Sequence, residues 1–188
     1  MLGPALLDPF SILVVIAVVG FIGTSIAWWT RGRRQGDELG GGLAVLRRVA
    51  GELHESHPIR RRIEAAPVVD LSFEEMARLM TGEKTEPAAR GLVALDGRIG
   101  WIERFAQLSV HLGILGTVFA LVTSDPTDLD SFRARLPVAL GTTFWGLVGA
   151  LVLSILAGAC ESVLDRARRG VREALLAGLD RPPGQREP

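Results

Sequence analysis

Thr117, Thr142 and Thr143 are hydroxyl-bearing residues set in runs that are otherwise almost wholly apolar. A threonine hydroxyl both donates and accepts a hydrogen bond, so at such a position it can order water or pass a proton along. It can also simply donate to the carbonyl four residues back in its own helix. Residue type and spacing leave both readings open. His111, just ahead of Thr117, is a candidate proton relay, since an imidazole can both accept and donate a proton. The competing reading is a polar residue at a membrane boundary. Residues 11–29, 107–124 and 138–160 contain no Asp or Glu, so an ion crossing here would need its acid from another polypeptide.

Other chemistries are poorly provided for. Cys160 is the single cysteine, which excludes an intrachain disulfide and a thiolate metal cluster. His54, His57 and His111 are too scattered for a metal motif, and there is no phosphate-binding loop or nucleophile–base set. The expectation is a protein that is not an enzyme, with no catalytic residues, no metal and no cofactor. The arginines are interleaved with glutamates beside apolar runs, which argues against nucleic-acid binding.

The elements that hold these residues follow from how charge is distributed. The chain has 188 residues, 48% of them hydrophobic and 22% charged, and a mean hydropathy of +0.29. That is too apolar for an average soluble domain and too charged for a protein wholly in lipid. Segregation of the charges resolves the conflict, because the three acid-free runs also contain no Lys or Arg. About twenty apolar residues at ~1.5 Å each cross the ~30 Å hydrocarbon core. The expectation is an all-α membrane protein with three transmembrane helices, N-out and C-in, extending into the cytoplasm.

Two arginine clusters orient it. Arg31, Arg33 and Arg34 follow the first run, and Arg166, Arg168, Arg169 and Arg172 follow the third, placing both ends inside. The divisions are a first transmembrane helix over 1–30, a cytoplasmic helical segment over 31–104 and a second transmembrane helix over 105–123. A short periplasmic link over 124–137, a third transmembrane helix over 138–160 and a cytoplasmic helix and tail over 161–188 complete them. The absence of Lys and Arg before Phe10 and of a small-x-small cleavage site favours a retained helix over a cleaved signal. Trp28 and Trp29 sit where interfacial anchors belong.

Within 31–104, Gly36 to Gly42 reads as a loop, and Leu43, Leu46, Val49 and Leu53 have helical spacing up to Pro58. Ser72-Phe73-Glu74-Glu75 fits a capping box opening a short helix through Met80. Thr85-Glu86-Pro87 resembles a further helix start, and Leu92, Leu95, Ile99, Ile102 and Phe105 continue without a breaker into the second run. The third run continues through Val163, Leu164, Val171, Leu175 and Leu176 to a stop at Pro182-Pro183-Gly184. Glu103, Arg104 and Glu161 fall at or just beyond the headgroups.

Small residues recur at four-residue steps: Thr142, Gly146, Ala150, Ser154 and Gly158 on the third helix, and Ser109, Gly113 and Thr117 on the second, beside Gly116 and Ala120. Such stripes let helix backbones approach closely, which replaces the hydrophobic driving force that lipid does not supply. Gly113, Gly116, Gly146, Ala150 and Ser154 are therefore candidates for helix packing or an oligomer interface. Three spans are few for two long small-residue faces, so contact with further copies of the chain is expected.

At these residues the chain resembles the MotA/TolQ/ExbB proton-channel family. Leu112-Gly113-Ile114-Leu115-Gly116-Thr117-Val118 resembles its second-span motif, G-L-x-G-T-V. Ala139-Leu140-Gly141-Thr142-Thr143-Phe144-Trp145-Gly146-Leu147 resembles its third-span motif, A-L-x-x-T-x-x-G-L. The likeness covers about Trp101 to Gly158, and the three-span plan is nearer to the ExbB/TolQ branch. Val138 stands where some relatives have glutamate, and Leu151 and Val152 stand where many have proline. The resemblance implies a pentamer in a bacterial inner membrane, its second and third helices lining a pore around a single-span partner similar to ExbD, TolR or MotB. That partner would carry the proton-binding Asp. Thr117 and Thr143 take the positions of pore-facing threonines, with Thr142 beside them. The function so implied is a stator subunit of a motor driven by the proton-motive force; the rival is a non-conducting oligomeric membrane scaffold.

Overall fold

The computed structural model describes residues 9–52, 61, 86–124 and 129–179, and its elements are three long α-helices. Helix α1 spans Pro9–Glu52, α2 spans Glu86–Val122 and α3 spans Leu129–Leu179. All three are long and apolar enough to cross a membrane. At ~1.5 Å per residue each exceeds the thickness of a hydrocarbon core.

Helix α2 is described from Glu86, the residue before Pro87. Thr123 and Ser124 close its other end. The Thr123 hydroxyl donates to the Phe119 carbonyl at 2.8 Å and the Ser124 hydroxyl to the Leu121 carbonyl at 2.6 Å, satisfying acceptors that a helix end leaves open. Arg135 donates to the Thr123 hydroxyl at 2.7 Å.

Two expectations change. Gly36 to Gly42 is not a loop; it lies inside α1, which continues unbroken to Glu52. Glycine costs about 1 kcal/mol relative to alanine in a helix interior but does not forbid the conformation. Packing at Gly32, Leu39 and Gly42, all buried, outweighs that local preference. The expected link over 124–137 is partly helical, because α3 already begins at Leu129 and carries Pro137 within it. The proposed capping box at Ser72 and the segment from Leu53 to Pro58 lie outside the described residues.

The chain divides into two compact units. The first comprises residues 1–29 and 98–159. Its buried positions are mostly small: Ile99, Ile102, Ala106, Ser109, Gly113, Gly116 and Ala120 on α2, and Ala139, Thr142, Gly146, Gly149, Leu153 and Ala157 on α3. Steps of three and four residues give an average near 3.5, the period of helices that coil about one another. Every exposed large hydrophobic side chain among the described residues, from Ile12 to Ile155, belongs to this unit. Small residues inside and large apolar ones outside is the distribution expected of helices solvated by lipid.

The second unit comprises residues 30–97 and 160–188 and reverses that distribution. Leu39, Leu92, Leu95, Leu164, Val171 and Leu175 are almost fully enclosed, while Arg31, Arg34, Arg166 and Arg169 are exposed. Burying a leucine is worth about 1.5–3 kcal/mol in water, so these side chains are what hold this unit together. Gly36 meets Val163 and Gly170 meets Leu43, and the carboxylate of Asp96 receives Arg168 at 3.2 Å.

Candidate functional site

The candidate site is built where α2 and α3 touch in the first unit. A Cβ placed on Gly113 would stand 3.1 Å from the Thr142 carbonyl oxygen and 3.1 Å from the Thr143 Cα. One placed on Gly146 would stand 2.5 Å from the Ser109 carbonyl oxygen and 2.9 Å from the Gly113 Cα. The two backbones therefore meet glycine against glycine, and an alanine at either position would press on main-chain atoms that have little freedom to yield. Gly116 extends the contact, since a Cβ there would fall 2.6 Å from the Thr142 hydroxyl and 2.9 Å from the Phe10 ring. Phe10 in turn stacks on Phe119, with ring centroids 5.4 Å apart.

Close approach brings the threonines together. The hydroxyls of Thr117 and Thr143 hydrogen-bond each other across the seam. Thr117 Oγ1 also reaches the carbonyl of Ala139 at 3.0 Å and that of Gly113 at 3.3 Å, while Thr143 Oγ1 reaches the Gly113 carbonyl at 3.2 Å. Two protons serve this set, and the hydroxyl pair can be ordered in either direction. Thr117 can donate to Thr143, which donates to Gly113; or Thr143 can donate to Thr117, which donates to Ala139. Interconversion turns both hydroxyls about their own C–O bonds and leaves neither unsatisfied. The cross-helix bonds contribute stability as well, on average about 0.6 kcal/mol each and at most about 1.7 in a membrane. The glycine contact, not the hydrogen bonds alone, must therefore carry much of the helix pairing.

Burial separates the three threonines. Thr142 is 1% exposed and donates to the Ala139 carbonyl at 2.8 Å, with the Gly113 carbonyl at 3.4 Å. In a single chain its side chain is enclosed by the helices, whereas Thr117 and Thr143 are half-buried. His111 is exposed on α2 and has no hydrogen-bonded connection to the threonines among the described residues. It lies six residues before Thr117, about 9 Å along the axis and a third of a turn around it.

The small-residue stripe expected on α3 does not stay on one face. Thr142 and Gly146 are buried, Ala150 is half-buried, and Ser154 and Gly158 are exposed. Four-residue steps advance about 40° each beyond a full turn, so a stripe of that spacing winds out of the contact. The buried line instead runs through Gly149, where a side chain would meet Val18, and through Leu153 and Ala157. Alternating three- and four-residue steps would have located these positions in the sequence.

A second constellation went unnoticed in the sequence. Phe105 stacks with Phe21 at 4.6 Å and with Trp28 at 6.0 Å, and packs tilted against Trp101 at 6.3 Å. The Arg98 guanidinium lies over Trp28 and that of Arg104 over Trp101, at 5.6 and 5.0 Å from the ring centres. Trp28 at the end of the first charge-free run, and Trp101 with Arg104 three residues on, were the available signal.

Among the described residues there is no group of three His, Cys, Asp or Glu side chains placed to hold a metal. Compared with protein-family models, curated proteins and solved structures, the chain matches none.

Proposed function

We propose that the chain is the channel-forming subunit of an inner-membrane motor driven by the proton-motive force. Several copies, five by the family resemblance, would surround a single-span partner of the ExbD, TolR or MotB kind. The carrying observation is the Thr117–Thr143 hydroxyl pair at a glycine-on-glycine helix crossing. These are the two threonines, out of three candidates, that a neighbouring subunit or a threaded partner can still reach. Arginines after α1's apolar run and along the end of α3 support an N-out, C-in placement with the second unit in the cytoplasm.

In this reading, a carboxylate on the partner takes a proton from one side and loses its charge. Its attraction to the hydroxyl-lined surface falls, and partner and ring step against each other before the proton leaves on the other side. One charge moved across 100 mV supplies about 2.3 kcal/mol. That exceeds the strength of a single cross-helix hydrogen bond in lipid, so one proton suffices to exchange one such contact for another.

A non-conducting oligomeric scaffold is the second reading, favoured by one observation: both hydroxyls are satisfied inside a single chain. Purifying the chain together with the product of a neighbouring gene, and counting copies of each, separates the two. The motor reading expects a one-span protein with an intramembrane acid, held in fewer copies than this chain. A homo-oligomer that retains no such partner supports the scaffold.

A further inference from the structure

We propose that Arg98 and Arg104, seated on Trp28 and Trp101, form a docking surface for the phosphodiester headgroup of an anionic phospholipid. The inference rests only on the first unit standing in a bilayer and is independent of whether the chain conducts.

Three observations carry it. The first is the aromatic base. Phe21, Trp28, Trp101 and Phe105 pack as one cluster; Trp28 stands at the end of the first apolar run, where indoles settle between hydrocarbon and headgroups, and Trp101 lies just ahead of the second, beyond Glu103 and Arg104. The second is the way the arginines are held. A guanidinium lying over an indole face is attracted by the ring quadrupole and keeps its N–H edge free for other partners. That edge matches two oxygens of a phosphate in a bidentate contact, which an ammonium cannot reproduce.

The third is charge. Neither Arg98 nor Arg104 has an ion-pair partner among the described residues, although Arg168 does. Glu103 is exposed on the same helix, but it sits about 100° around the axis from Arg104 and makes no ion pair with it. Two cations are thus left without an ion pair on α2, about 9 Å apart along its axis and a third of a turn around it, so each offers its own contact to a lipid phosphate. A zwitterionic headgroup brings its own ammonium to that place, whereas an anionic one does not. The surface therefore selects for net negative lipid.

The probe is quenching of tryptophan fluorescence by brominated lipid, with the full-length chain reconstituted in bilayers. Trp29→Phe and Trp145→Phe leave Trp28 and Trp101 as the reporters. Brominated phosphatidylglycerol is titrated against brominated phosphatidylcholine, giving a relative binding constant. The expected preference for the anionic lipid is about five-fold per arginine, and it collapses towards parity in R98Q/R104Q. R98K/R104K keeps both charges but loses the stacked fork, and its preference is expected to fall below that of the starting protein. Arg47→Gln, an exposed arginine distant from any aromatic contact, is expected to change nothing. Helical content by circular dichroism confirms that each variant folds. Parity in the starting protein, an undiminished preference in R98Q/R104Q, or full retention in R98K/R104K would each overturn the proposal.

Discussion

Replacing Gly146 by alanine tests the packing of the candidate site with few free parameters. The new Cβ would sit 2.5 Å from the Ser109 carbonyl oxygen and within 3.1 Å of Gly113 backbone atoms. These are main-chain atoms of a neighbouring helix, so relief requires the helices to separate. Overpacking of this sort costs about 1–3 kcal/mol. Alanine also gains about 1 kcal/mol of helix propensity over glycine, which offsets part of that cost. A matched substitution removes the ambiguity. Gly20 is helical, in the same unit, and has nothing within 4 Å of its would-be Cβ, so Gly20→Ala carries the propensity gain alone. The difference between the two variants then isolates the steric cost, about 1–3 kcal/mol against Gly146→Ala. Reversible unfolding in detergent micelles, followed by circular dichroism, measures it. A difference below about 0.5 kcal/mol, the range of an ordinary surface change, would refute the glycine-on-glycine contact.

Further expectations concern neighbouring features. Gly40→Ala and Gly41→Ala enter open space inside α1, so each should stabilise the chain by about 0.4–1 kcal/mol in the same unfolding titration. Destabilisation would show that these glycines have a role beyond the helix. Asp96→Asn removes one partner of Arg168, which Asp165 also approaches at 3.8 Å, and the Asp96 and Arg168 side chains are about half exposed, so the loss should stay under about 1 kcal/mol and vanish in high salt. Thr142→Val deletes a hydroxyl enclosed within the chain and is expected to cost about 0.6 kcal/mol of stability while leaving ion flux intact. Flux lost in that variant, with its fold preserved, would move the conducting position from Thr143 to Thr142.

Much of the architecture was legible because lipid imposes a simple code. Charge-free runs of the right length marked all three helices long and apolar enough to cross a membrane. Glycines at 36–42 misled, since local propensity favours a break there and only packing along α1 restores the helix. The candidate site was half legible. Thr117, Thr143, Gly113 and Gly146 could be selected by type, but which hydroxyl remains accessible depends on helix rotation, and single-residue periodicity fixes that only when the 3.5-residue line is followed. Ser154 illustrates the difference: its spacing matched Gly146, yet 40° of drift per step carries it to the outer face. The Arg104–Trp101 pair is an i,i+3 neighbour on one helix and was open to local reading, whereas Arg98–Trp28 joins two helices and no local pattern links it.

Proton flux into vesicles containing this chain and its single-span partner tests the central claim most directly. With a membrane potential imposed, a pH-sensitive dye in the lumen should report flux that needs both proteins and that falls at least ten-fold in Thr143→Val, equivalent to about 1.4 kcal/mol in the barrier. Flux equal to that of empty vesicles, or flux unaltered by Thr143→Val, would contradict the channel and leave an oligomeric membrane scaffold.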